Sequence, residues 1–318
     1  MFSKRIMSLL ITLSFISQAL VVVDTDSYSS VVVEDSSILE ELSEQNGART
    51  GEPSNLSIPF TNFGSSGCNC HGTSFTNGEI IIFAAKYTGN ATYGGAGKGY
   101  ELHVTDGTLT GTSMIADLNP GDSHNGIASL YSNAPIPHVW WNDVLYLRLD
   151  DGTDVAGPEL WRTDGTESGT YIVKDIREGS YSSTLSDLIL WEDHIYFSAN
   201  DGTNGSELWK SDGTTEGTHL VKDIYPGNQQ DSSNPSYFTV FNDKLYFSAE
   251  DEDNGQEIWT TDGTENGTTL AVDVWPGNYG GGPRSMTVFN DYLYFSAFGN
   301  NTGRELWKSD LTENGTSL

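Results

Sequence analysis

Reactive side chains crowd together at one place, Cys68-Asn69-Cys70-His71 within GCNCHG, which holds the only two cysteines of the chain. Two thiols and an imidazole within four residues offer three chemistries. Covalent haem attachment would use both thiols, with His71 as axial ligand, but that signature spaces its cysteines by two residues and this one by one. A thiolate–imidazole metal site needs a fourth ligand that the sequence does not nominate. The plain alternative, a tight disulfide in an exported protein, is preferred to either cofactor.

The next candidates are carboxylates. DEDNGQE, residues 251–257, places Asp251, Asp253 and Glu257 within one short acidic loop, the best Ca²⁺ ligand set in the chain; a solvated acidic loop is the competing reading. The six histidines, His71, His103, His124, His138, His194 and His219, show no ligand spacing. No G-x-S-x-G, H-E-x-x-H or phosphate-loop signature occurs. Only His138 and Arg284 are one-off residues on segments expected to face inward, and no carboxylate stands apart from the surrounding pattern. That favours a non-catalytic chain.

The pattern itself dictates how any such residue is held. ELHVTDGTLTGT, ELWRTDGTESGT, ELWKSDGTTEGT, EIWTTDGTENGT and ELWKSDLTENGT begin at Glu101, Glu159, Glu207, Glu257 and Glu305. A period near fifty residues marks a repeat architecture. Within one period, as in SYFTVFN-DKLYFSA-EDEDNGQ-EIWTTDG-TENG-TTLAVDV, apolar pieces of strand length alternate with Asn-Asp, Asp-Gly and Asn-Gly turns. Each period therefore reads as four antiparallel strands, with TVFN innermost, LYFSA second, EIWTTD third and TLAVDV outermost. The expected fold is all-β: a β-propeller of about five four-stranded blades, the last incomplete at GTSL. A half-finished strand leaves an open edge, which favours a chain that continues past Leu318 over a closed five-blade ring. Trp161, Trp209, Trp259 and Trp307 are expected between blades. The Asp-Gly-Thr turns read as structural, with Ca²⁺ binding as the alternative.

The chain divides into 1–23, a secretory signal or uncleaved anchor with Lys4 and Arg5 before an apolar run; 24–66, a disordered, acidic, Ser-rich linker; and 67–318, the repeats. The repeats partition as 67–140, 141–191, 192–241, 242–289 and 290–318. Lys plus Arg total 15 against 44 Asp plus Glu, a net charge of −29. Such a surface repels nucleic acid and anionic lipid, so a membrane would be reached only through an uncleaved N-terminal anchor. Asn-x-Ser/Thr sequons at Asn55, Asn90, Asn204, Asn266, Asn300 and Asn314 suit an extracellular address.

ELWKSDGTTEGTHLVKDIYPG, residues 207–227, resembles the ELWxxDGT repeat proteins, secreted propeller-like or hyalin-like microbial proteins. The resemblance spans about 101–318 and departs at His103, where the other copies have Trp, and at Leu311, where they have Gly. It implies a fold and a secreted or cell-surface address but no reaction. The expected role is a non-catalytic module that binds surface polysaccharide or protein through its variable crossover loops, without a resident cofactor. The alternatives are a propeller-type polysaccharide hydrolase or lyase, which requires one-off acids, His or Arg clustered at one end of the inner strands, and an electron-transfer protein using Cys68, Cys70 and His71.

Overall fold

The computed structural model describes residues 21–23, 31–33, 57–58, 74–87, 99–108, 110–118, 136–150, 156–228, 230–299, 303–312 and 315–318. The chain forms two compact units, Met1–Asn69 and Cys70–Leu318. In the first, β1 (Val21–Val23), β2 (Val31–Val33) and β3 (Ser57–Ile58) make a small antiparallel sheet in that order. Val21–Val23 thus ends the N-terminal apolar run as a paired strand. Among the described residues no helix is long and apolar enough to cross a membrane. An uncleaved N-terminal anchor, the expected route to a membrane, finds no spanning helix among these residues. Cys68, Cys70 and His71 lie outside the described residues.

The second unit consists of five antiparallel sheets, the blades of a five-bladed β-propeller. Blade 1 comprises β4 (Ser74–Thr76), β5 (Ile81–Tyr87), β6 (Gly99–Thr105) and β7 (Ser113–Met114). Blade 2 comprises β8 (His138–Trp141), β9 (Val144–Leu149), β10 (Glu159–Thr163) and β11 (Tyr171–Lys174). Blade 3 comprises β12 (Ser186–Trp191), β13 (His194–Asn200), β14 (Ser206–Ser211) and β15 (His219–Lys222). Blade 4 comprises β16 (Ser236–Phe241), β17 (Lys244–Asp251), β18 (Gly255–Thr261) and β19 (Thr269–Val272). Blade 5 comprises β20 (Arg284–Phe289), β21 (Tyr292–Phe298) and β22 (Arg304–Ser309), with one outer bridge from Lys308 to Ser317. The strand order within each blade is the expected one. The inner strand placed at the end of each sequence interval belongs to the sheet that follows it.

Two local features write this topology. The inner hairpins turn on Asn142-Asp143, Glu192-Asp193, Asn242-Asp243 and Asn290-Asp291, and every one of these residues has φ between 46° and 59°. A two-residue turn with both residues left-handed matches the twist of the strands it joins. The Asp-Gly-Thr turn is self-contained: Asp212 Oδ1 accepts from the Thr214 amide at 2.9 Å and the Thr214 hydroxyl at 2.7 Å. Gly217 N then donates to Thr214 Oγ1 at 3.0 Å, and Ser211 Oγ meets Thr218 Oγ1 at 2.6 Å. The same bonds recur at Asp164 and Asp262. These hydroxyls and amides hold the Asp carboxyls below their ordinary range.

Strand alternation gives each blade two faces. Ile195, Phe197, Ala199 and Trp209 of blade 3 pack with Tyr146, Leu160 and Val173 of blade 2. Tyr196, Leu208 and Val221, on its other face, pack with Leu245, Phe247, Ala249 and Trp259 of blade 4. Each fully buried aromatic such as Phe197 or Phe247 contributes roughly 1.5–3 kcal/mol. The last blade's outer face differs: Phe289 is 61% exposed and Leu306 66%, where their counterparts Trp191 and Leu208 are 7% and 0% exposed.

Candidate functional site

The repeated Glu is the most deeply buried acid of every blade but the last. Glu101, Glu159, Glu207 and Glu257 are all 0% exposed. Glu207 accepts from the amides of Ile224 and Ser233, both at 2.8 Å, and from the Ser233 hydroxyl at 2.5 Å. Glu257 accepts from Val274, Trp275 and Gly281 at 2.8, 3.1 and 2.6 Å. Glu159 holds Ile176 and Ser183 in the same way. Each carboxylate therefore ties the outer strand and the crossover to its own third strand. Burial, against the opposing pull of these bonds, raises Glu159, Glu207 and Glu257 to about 7. A carboxyl repeated in this way, with no solvent access, is architecture and not a reactive group.

The one-off residues gather elsewhere. The inner strands β8, β12, β16 and β20 stand next to one another in series. At the start of three of them the pairing slips by a bulge: between Ser186 and Ile189, between Ser236 and Thr239, and between Arg284 and Thr287. The residue after the first of each, Asp187, Tyr237 or Ser285, has φ of 55°, 57° or 55°. A bulge turns a side chain out of the ladder and toward a rim. Such a conformation is uncommon for these residue types and marks a constrained position. In blade 2 the position is Pro137, whose ring forbids positive φ, and His138 pairs directly with Leu147.

The bulges open a crevice of about 460 Å³ lined by Asp187, Tyr237, Arg284, Gln256, Ser186 and Ser236, among other polar residues. Asp187 is exposed along the crevice. The surrounding strands nonetheless wall it into a poorly solvated concavity, which raises its carboxyl above the usual range, while a bond from the Tyr237 amide opposes the rise. Solvent exposure is what decides whether a ligand can reach it, and by that criterion it is open. Arg284 is likewise exposed, and Tyr237 is 38% exposed. Behind them, Arg304 donates to Gly282 O at 2.7 Å and Ser296 O at 3.0 Å.

Of the residues nominated by sequence, Arg284 lines this crevice. His138 does not: its ring lies 4.5 Å from that of Phe75, and its Nδ1 is 2.9 Å from Ile136 O. The Ca²⁺ set Asp251, Asp253 and Glu257 is not assembled. Asp251 caps its own loop through the Asn254 amide at 2.6 Å and Asn254 Nδ2 at 2.8 Å. Asp253 is exposed and Glu257 is committed to three backbone amides. Among the described residues no group of three His, Cys, Asp or Glu is placed to hold a metal ion. His103 replaces Trp in blade 1 as a buried ring stacked on Phe83, with Nδ1 3.0 Å from Glu101 O. Leu311 replaces Gly at φ 65° and packs beside the cluster containing Tyr246. Asp187 and Tyr237 were not nominated by sequence. Their one signal is a variable residue at a fixed place in the repeat, read there as the ordinary start of a strand.

No protein-family model matches the sequence, and no curated protein matches it. Among solved structures, the chain is similar to puromycin hydrolase (S511A mutant), with 13% identity over 75% of this chain and 35% of that one, TM-score 0.44. It is similar to prolyl endopeptidase, with 10% identity over 77% and 34%, TM-score 0.45. It is also similar to an α-L-arabinofuranosidase from Clostridium thermocellum, with 17% identity over 57% and 70%, TM-score 0.31. The chain spans about a third of the length of the first two. The three are a hydrolase, a peptidase and a glycosidase. The expectation of a non-catalytic binding module is corrected at this point. It rested on the absence of any one-off acid on the inner strands, and Asp187 is such an acid, clustered with Tyr237 and Arg284 at one end of the blades.

Proposed function

We propose that the chain is a secreted or cell-surface propeller that cleaves polysaccharide, with Asp187 moving the proton in the cleavage step. The observation that carries this reading is the convergence of Asp187, Tyr237 and Arg284 on one polar crevice. Cleaving a glycosidic link requires a proton delivered or removed at a fixed point, and the Asp187 carboxyl, raised above its ordinary range by its surroundings, lines the crevice at such a point. The Ser, Asn and Gln side chains around it are hydroxyl and amide partners for sugars. We also assign the cassettes to the ELWxxDGT repeat type, on the five motif copies and the blade each one builds. The N-terminal apolar run after Lys4 and Arg5 supports export.

The test is polysaccharide breakdown, measured as new reducing ends across a panel of neutral and acidic polymers, by the intact chain and by Asp187→Asn. At least one polymer should be cut, and the variant should lose about 10²-fold or more while melting like the parent. Cleavage unaffected by Asp187→Asn, or no cleavage of any polymer, would refute the assignment.

A further inference from the structure

Resting on that reading, we infer that the crevice takes an anionic polysaccharide containing uronic acid, binds its carboxylate through Arg284, and breaks the chain by β-elimination with Asp187 as base and Tyr237 as acid. Three features of the crevice point this way.

The first is charge. The chain carries only 15 Lys plus Arg in a background of −29, yet Arg284 lines the crevice and Arg304 is near enough to feel its charge and that of Tyr237. Arg304 is anchored by its two carbonyl bonds and by the Phe298 ring 4.2 Å below its guanidinium, which leaves Arg284 as the exposed partner for a ligand. A planar guanidinium matches a carboxylate in bidentate fashion. Placing cations here, against the charge of the rest of the molecule, selects an anion.

The second is the count of acids. Hydrolysis of a glycosidic link ordinarily uses two carboxyls facing each other across the bond. Asp187 is the only carboxyl among the described residues that line the crevice. Elimination needs one base, one acid and a cation on the uronate, and the crevice holds one of each.

The third is placement. Asp187 and Tyr237 occupy the same bulge position on adjacent strands, β12 and β16, and the Tyr237 amide bonds to Asp187. That bond holds the base against the strand that carries the acid.

In the step, Arg284 neutralises the uronate carboxylate and so acidifies the adjacent C5–H. The Asp187 carboxylate takes the C5 proton, and the C5–H electron pair becomes the C4–C5 double bond. The C4–O bond breaks with its pair passing to the glycosidic oxygen, which receives the Tyr237 hydroxyl proton. Asp187 ends protonated and Tyr237 ionised; transfer of that proton between them through water restores both. No water is consumed and nothing is oxidised or reduced.

The experiment uses the full chain with polygalacturonate, with alginate, and with carboxyl-reduced polygalacturonate, following both reducing ends and the ultraviolet absorbance of the unsaturated uronate. Cleavage of a native acidic polymer with matching absorbance, and none of the reduced one, is expected. Arg284→Ala should lower kcat/KM at least tenfold on the acidic polymer, and Arg284→Lys should recover part of it. Tyr237→Phe should abolish the chromophore. Reducing ends without absorbance, on any polymer, would overturn elimination while leaving the cleaving crevice intact. Equal cutting of the native and reduced polymers would overturn uronate recognition. Inertness toward all three polymers overturns this inference, whereas the broader cleavage reading falls only if the neutral panel is untouched as well.

Discussion

Replacing Glu207 by Ala tests whether the repeated carboxyl is architecture, because the chain contains its own control. The substitution removes the acceptor for the Ile224 and Ser233 amides, each bonded at 2.8 Å, and for the Ser233 hydroxyl. A buried amide left without a partner costs about 1–3 kcal/mol. Two such amides set a loss of about 2–6 kcal/mol. Part of that is returned because an ionised carboxyl no longer has to be buried, so a net loss of about 2–5 kcal/mol is expected. For a domain of this size each kcal/mol moves Tm by roughly 2–4 °C, giving a fall of about 4–20 °C. Glu305 occupies the same place in blade 5 but is exposed, so Glu305→Ala should shift Tm by no more than about 1–2 °C. Thermal melts followed by near-ultraviolet circular dichroism of the inter-blade tryptophans report both. Equal shifts for the two variants would refute the architectural role.

The pH dependence follows from the same residues. Burial raises Glu159, Glu207 and Glu257 from 4.5 to about 7, so the folded state holds more protons than the unfolded one between these values. Their contribution to stability is complete below about pH 4.5 and is lost as pH rises to about 7; Tm should fall across that window, and Glu207→Gln should flatten the fall. Gly213 has φ 86°, and an added Cβ would collide with the Tyr146 hydroxyl of the preceding blade. Gly213→Ala should therefore cost clearly more than the roughly 1–2 kcal/mol of a left-handed alanine, and Tyr146→Phe should relieve part of the loss. Gly107 has φ 89° with open space around it, so Gly107→Ala should show only the backbone cost; urea denaturation of the three variants decides the matter.

The fold was legible because its determinants are local and repeated. Asn242-Asp243 and its counterparts announce their turns by residue type, and the apolar alternation of LYFSA announces a strand buried on both faces. The role of the repeated Glu was not legible, since its partners lie 17 and 24–26 residues downstream, the farther ones in crossovers whose sequences differ from blade to blade. Arg284 could be nominated as a one-off residue. Asp187 and Tyr237 could not, because SDLILW and SYFTVF read as uninterrupted strands and nothing in either announces a bulge. His138 fails for the opposite reason: it stands at an inner strand without a bulge, and its ring finds Phe75 instead of the crevice.

The slipped pairing at the mouth of the inner strands separates two kinds of inheritance. Residues on either side of it belong to the ladder and to the seams between blades, where a change of volume is felt by a neighbouring sheet. The left-handed residue itself belongs to neither apolar cluster, so aspartate, tyrosine and serine succeed one another there while the strand beyond it stays largely apolar. A duplicating cassette with one such uncommitted address can acquire a different side chain in each copy without refolding any of them, and the crevice draws its acid and its tyrosine from those independent choices.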